Sequence, residues 1–148
     1  MLFRSVRIKG RHWPQTLESI VSRAAEGLGV TDTVEAELYK LLVYEEGCFF
    51  VDHRDTEKAP GMFATLVIVL PSIYTGGELL VRHRDHEAHL DLCCSDPSEV
   101  SFAAFYADCV HEILPITSGC RLTLVYNLVR SGNCPLPRSE ERRVGKEC

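Results

Sequence analysis

The chain lacks the features that mark a membrane protein, a disulfide scaffold or a nucleic-acid binder. No apolar run approaches the ~20 residues of a membrane-spanning helix. Met1-Leu2-Phe3-Arg4 does not have the charged-then-apolar layout of a signal peptide, so a cytoplasmic address without membrane contact is the expectation. Sixteen Lys and Arg against twenty-one Asp and Glu leave a formal net charge of −5. There is thus no basic footprint for nucleic acid or an anionic lipid surface. Seven cysteines are present, but none forms a CxxC pair. Cys93 and Cys94 are adjacent, while Cys48, Cys109 and Cys120 fall in or beside apolar runs. Reduced, mostly buried thiols are expected, rather than a disulfide framework or structural zinc. Internal repeats and low-complexity stretches are also missing. What remains is a chain of 148 residues, 45% hydrophobic, which suits one globular domain with an adequate core.

Its pattern is mainly β with an N-terminal helix. Phe3 to Ile8 alternates loosely and predicts a strand. Leu17, Ile20, Val21, Ala24 and Leu28 recur at helical spacing behind Pro14, which predicts a helix over 16–27. From residue 35 onward short β-rich runs are separated by Gly, Pro, Asp or Ser. Eight strands are predicted: 35–44, 49–53, 63–70, 77–81, 88–92, 102–107, 112–115 and 122–128. Such a series indicates a sandwich or jelly roll. Ala64 to Leu70 is apolar on both faces and is expected to be a covered strand. The divisions are a strand and supporting helix over 1–34, a jelly-roll domain over 35–130 and a trailing loop over 131–137. Residues 138–148 read as the translation of a common short-read sequencing adapter and are left out of the fold reasoning. The natural C-terminus is then not given by this sequence.

The chemistry concentrates between Tyr44 and Arg121. His53-Arg54-Asp55 places a histidine and a carboxylate two apart, so on an extended strand both side chains leave one face while Arg54 leaves the other. His111 follows much later, expected from the far side of the barrel, and Arg121 follows in turn. Two histidines and one carboxylate can hold one face of an octahedral metal and leave three positions open, a pattern typical of non-haem Fe(II) oxygenases. The tripeptide alone decides little, because His83-Arg84-Asp85 repeats it. The second copy follows Leu79-Leu80-Val81 at the start of a polar run and reads as a hairpin tip. Too few residues separate it from His111 for the strands a jelly roll needs. The histidines His83, His86 and His89 are expected in a solvated loop.

Three segments resemble, in order, the 2-oxoglutarate/Fe(II)-dependent dioxygenases, and within them the prolyl 4-hydroxylase-like group. Tyr44-x-x-Gly47-x-x-Phe50-x-x-His53-x-Asp55 is similar to the family's approach to its first ligands. Gly76-Gly77-Glu78-Leu79 resembles the glycine pair entering the fourth core strand. His111-Glu112-x-x-Pro115-x-x-x-Gly119-x-Arg121-x-Thr123 resembles the second-ligand and co-substrate segment. The resemblance spans residues 35–128 and implies a double-stranded β-helix of the cupin-like jelly-roll kind. It implies His53, Asp55 and His111 as catalytic metal ligands, and Fe(II), 2-oxoglutarate and O2 as the reacting set, with ascorbate as a further cofactor. Arg121 would hold the distal carboxylate of 2-oxoglutarate, where many prolyl hydroxylases have lysine. Thr123 and Tyr44 would hydrogen-bond that co-substrate, and Thr65 would be a further group of this kind. The implied reaction couples oxidative decarboxylation of the 2-oxo acid to hydroxylation of an unactivated C–H bond. Asp55 favours hydroxylation over halogenation, because related halogenases resemble this pattern with a small residue there. The implied partner is a protein, a peptide or a small molecule, with a prolyl residue leading. Glu57, Lys58 and Tyr74 are expected near a substrate backbone. Two readings compete: a catalytically silent jelly-roll binding module, and a metal-binding module that works without a 2-oxo acid.

Overall fold

A computed structural model describes residues 2–3, 6–138 and 145–147. The elements in chain order are β1 (Leu2–Phe3), α1 (Trp13–Gly27), β2 (Val34–Glu45), β3 (Phe50–His53), β4 (Met62–Val69) and β5 (Tyr74–Gly76). They continue with β6 (Leu79–His83), β7 (His86–Leu90), β8 (Ser101–Tyr106), β9 (Val110–Ile113), β10 (Ile116–Arg130) and β11 (Gly145–Glu147). The strands form two antiparallel sheets. The larger runs β1-β2-β10-β4-β8-β11, with β5 also pairing to β10, and the smaller runs β3-β9-β6-β7. This is the expected jelly roll. Strand and sheet account for every one of the eight predicted runs.

Burial explains which strands lie where. All eight residues of β4 are buried, as its unbroken apolar sequence requires of a strand covered on both faces. It sits between β10 and β8, and Leu66, Ile68, Phe105, Leu124 and Leu128 are among the side chains sealed from solvent there. The helix begins at Trp13, ahead of the predicted Thr16, because Pro14 is tolerated in a first turn where no N–H partner is needed. Its buried residues Ile20, Val21, Ala24 and Ala25 pack toward β2 and β8. The Tyr106 hydroxyl on β8 donates to the Leu28 carbonyl at 2.6 Å and ties down the helix end. Among the described residues no helix is long and apolar enough to cross a membrane.

Two expectations need correction. Among the described residues the N-terminal strand covers Leu2 and Phe3, paired to Leu42 and Leu41, and Val6–Ile8 are not part of a strand. Leu2 and Phe3 stay 46% and 41% exposed. The last core strand starts at Ile116, well before the predicted Leu122, because Gly119 lets the chain cross β5 closely. Gly119 has φ +77°, and a Cβ there would lie 2.2 Å from the Ile73 carbonyl oxygen. The adapter-like tail lies mostly outside the described residues. Within it, Gly145–Glu147 pairs antiparallel with β8.

Candidate metal centre and its pocket

His53 is the last residue of β3, and β9 places His111 directly opposite it in register. The two rings lie 4.1 Å apart between centroids. His111 is therefore a cross-strand neighbour within the small sheet, not an arrival from the far side of the barrel. Asp55 follows just past the strand end. Its Oδ1 lies 3.7 Å from His53 Nε2, and its Oδ2 3.7 Å from His111 Nε2. One donor atom from each of the three residues falls within 4.8 Å of the others. The outer ring nitrogens are engaged elsewhere. His53 Nδ1 donates to the Val51 carbonyl at 3.0 Å and His111 Nδ1 to that of Cys109 at 3.4 Å. This leaves both Nε2 lone pairs aimed inward, as a metal requires.

Electrostatics favour the same state. Burial pushes the His111 imidazole down to about 4, with the His53 charge helping and Asp55 opposing, so the ring is neutral at ordinary pH. Burial works to raise the Asp55 carboxyl. Hydrogen bonds from Thr65 and Lys58, with the Lys58 charge, outweigh it and hold Asp55 below the usual carboxylate value. The Thr65 hydroxyl donates to Oδ2 at 2.6 Å and Lys58 Nζ to Oδ1 at 2.9 Å. Thr65, expected to hydrogen-bond the co-substrate, is thus used to fix the carboxylate. Lys58 is likewise paired with Asp55, where a substrate backbone contact was expected. An ionised carboxylate and two imidazole Nε2 atoms are the donor set that a hard-to-borderline divalent cation such as Fe(II) accepts.

The other end of the same pocket is built on β10. Arg121 stands beside Tyr44 in register and is fully buried. Its guanidinium is held between the rings of Tyr44 and Tyr74, at 4.7 and 5.4 Å from their centroids. Nη1 donates to the Gly77 carbonyl. Gly77 is required here: with φ +70°, a Cβ would lie 2.8 Å from Nη1. Arg121 Nε and Nη2, Thr123 Oγ1 and the Tyr74 hydroxyl are buried without a hydrogen-bond partner among the described residues. Burial raises the Tyr44 phenol despite the nearby Arg121 charge. A sealed guanidinium with two unused N–H directions is costly unless a ligand supplies an anion. Side by side, Arg121 and Thr123 offer one planar and one hydroxyl contact to a carboxylate.

One continuous pocket connects the two ends. Leu42, Val67, Leu79, Ile113 and Val125 line it between the triad and Arg121, with Lys40 and Asn127 at the metal end. Sequence reasoning singled out neither Lys40 nor Asn127. The signal was available: Lys40 shares a strand face with Tyr44, and Asn127 shares one with Arg121 and Thr123. Tyr74, expected beside a substrate, instead packs on Arg121. The second tripeptide does form the hairpin tip: His83 pairs with His86 across Arg84-Asp85, and Arg84 has φ +53°. His89 is occupied by Glu87 at 2.7 Å. His83 does come within 4.8 Å of donor atoms on Asp108 and Cys109, but Asp85 takes no part.

The sequence profile of the 2OG-Fe(II) oxygenase superfamily matches residues 39–129, more than half of the chain. No curated protein matches it in sequence. Among solved structures, an oxidoreductase of the 2OG-Fe(II) oxygenase family from Burkholderia pseudomallei is 16% identical with a TM-score of 0.61. The alignment covers 88% of this chain and 62% of that one. A prolyl-4-hydroxylase from Pseudomonas putida is 19% identical with a TM-score of 0.60, covering 90% and 74%. A prolyl hydroxylase from Trichoplax adhaerens, in complex with a hypoxia inducible factor degradation-domain peptide fragment, is 18% identical with a TM-score of 0.55, covering 81% and 56%. The chain thus spans under two thirds of two of these three structures. At such identities the likeness establishes the jelly-roll fold.

Proposed function

Because the chain belongs to the 2OG-Fe(II) oxygenase superfamily, we propose that it is an Fe(II)- and 2-oxoglutarate-dependent dioxygenase hydroxylating an unactivated C–H bond. A prolyl residue of a protein or peptide is its leading substrate. The observation that carries the co-substrate assignment is the buried, unpartnered half of the Arg121 guanidinium in the same pocket as the triad. The prolyl assignment draws on the order of the motifs and on the prolyl hydroxylases among the structural relatives.

In this reading His53, Asp55 and His111 hold the metal, and Thr65 and Lys58 hold Asp55 in place. Bound Fe(II), with 2-oxoglutarate and O2, supplies the oxidising chemistry. The protein supplies orientation. Arg121 and Thr123 grip the distal carboxylate of the 2-oxo acid, with Tyr44 packed on the guanidinium to keep its plane fixed. The apolar wall from Leu42 to Val125 keeps water out of the space between. Anaerobic Fe(II) titration with and without 2-oxoglutarate tests the reading, and tight binding of both is expected. Replacing Arg121 by Met should weaken 2-oxoglutarate binding by about two orders of magnitude or more, as loss of a buried charge pair does, while metal affinity stays near wild type. An unchanged 2-oxoglutarate affinity would remove the co-substrate assignment.

A further inference from the structure

A second group of metal-binding side chains stands outside the pocket, where two hairpins of the small sheet end. Val81 pairs with His111 and Arg82 with Val110 across β6 and β9. One step further along the same alternation come His83 and Cys109. Side chains two apart on extended chain leave the same face, so these two fall on the face that carries His111, beyond it at the end of the sheet. Asp108 precedes Cys109 in the turn from β8 to β9, which the Cys109 N–H closes by donating to the Tyr106 carbonyl at 3.0 Å. One donor atom each from His83, Asp108 and Cys109 falls within 4.8 Å of the other two. Cys109 is buried, His83 half-buried and Asp108 exposed, so the group runs from the edge of the core out to solvent. An open hollow reaches it, lined by His83 and Asp108 together with Arg54, Arg82, Arg84 and Val110.

The donors differ in kind from those of the triad. His53, Asp55 and His111 offer two nitrogens and one oxygen, whereas this group offers nitrogen, oxygen and sulfur. Zinc accepts all three donor types in four-coordinate sites, and a thiolate ligand favours it over harder cations. The Asp108 carboxylate and a Cys109 thiolate together balance a dication. The complex would carry no net charge, so neither the arginines of the hollow nor a metal at the triad would repel it. Arg82 is in any case engaged by Glu112 at 3.0 Å. The site does not require idle side chains. All three residues already interact with neighbours, and binding exchanges the protons held in such contacts for the metal. The frame is fixed beforehand: His83 stands opposite His86 in the β6–β7 ladder, and the Cys109 carbonyl accepts from His111 Nδ1. We propose that His83, Asp108 and Cys109 form a second metal site, for zinc, with a fourth position open to water from the hollow. This assignment goes beyond the oxygenase reading and does not depend on it.

The test uses the full chain, metal-free, reduced and anaerobic, with Co(II) as a spectroscopic stand-in for zinc. The wild type should bind Co(II) with a thiolate-to-cobalt charge-transfer absorption in the near ultraviolet, and added Zn(II) should abolish that absorption. Cys109→Ser should remove it. His83→Ala alters a half-buried side chain at a hairpin end, and should weaken the cobalt binding that produces the absorption by at least about tenfold. Asp55→Ala should keep the absorption while losing the cobalt held at the triad, so failure of one site is told apart from failure of the other. Cys109 is buried, and if Cys109→Ser does not fold, His83→Ala decides the matter alone. The other cysteines are the competing source of a thiolate signal, and an absorption retained in folded Cys109→Ser would assign it to them. That result, the lack of any such absorption in the wild type, or unchanged cobalt affinity in His83→Ala would overturn the second site.

Discussion

His53-Arg54-Asp55 and His83-Arg84-Asp85 are the same three residues in two places, and the fold puts them to opposite uses. The first copy straddles a strand end that lines the pocket, where β9 supplies a second histidine across the ladder. There Asp55 is clasped by Thr65 and Lys58. The second copy bends around a two-residue hairpin tip, with Arg84 in the left-handed region and Asp85 exposed. A histidine and a carboxylate become a metal site only when register brings a third donor and the surroundings fix the carboxylate. The spacing within the tripeptide contributes little by itself.

Removing the donors should separate the copies most. Asp55→Ala or His53→Ala should weaken anaerobic Fe(II) binding by more than about a hundredfold, while the double variant His83→Ala/Asp85→Ala stays within about twofold of wild type. Loss of binding in the second variant alone would reverse the assignment. The environment of His111 offers the next largest effect. Its folded value near 4 lies below the ordinary 6.5, so the unfolded chain takes up the proton first. The stability it contributes is fully present above about pH 6.5 and is lost as pH falls through 4. By its own shift this is about 3 kcal/mol. Urea unfolding of the metal-free protein at pH 7 and pH 4 should show this loss, with Asp55 adding in the same direction, and His111→Gln should shrink it.

A smaller effect probes the clasp on Asp55. Thr65→Val removes one hydrogen bond from a carboxylate that keeps its place in the chain, and metal affinity should drop about tenfold. Full affinity in this variant would mean that the clasp is irrelevant to the difference between the copies. Smallest of all, Arg84→Gly relieves the left-handed backbone but adds freedom to the unfolded chain. Stability should move by no more than about 0.5 kcal/mol in urea melts, with metal binding unchanged.

Period-two alternation and turn residues were enough to read the strands, and the shared face of Arg121 and Thr123 came from the same rule. The pairing of β3 with β9 was not legible, because alternation says which face a residue takes and nothing about which strand lies next to it. The same gap hid the use of Thr65 and Lys58. Their hydroxyl and ammonium groups could serve a ligand or a neighbour equally well, and only the folded distances to Asp55 decide. Tyr74 escaped because its position depends on how closely β5 crosses β10 at Gly119, a contact set by backbone and not by any side-chain pattern.

The fit of Gly77 against Arg121 has a consequence for how this pocket can change over generations. Any side chain at position 77 would collide with both the guanidinium and Ile116, whose Cδ1 would lie 2.3 Å from a new Cβ. A residue without a functional group therefore limits which cation can stand across from it. A slimmer lysine in place of Arg121 would lift only one of the two collisions, and Ile116 and the left-handed backbone would still hold position 77 to glycine. The bare backbone at position 77 is thus set by its own turn and by Ile116 as much as by the arginine that donates to its carbonyl.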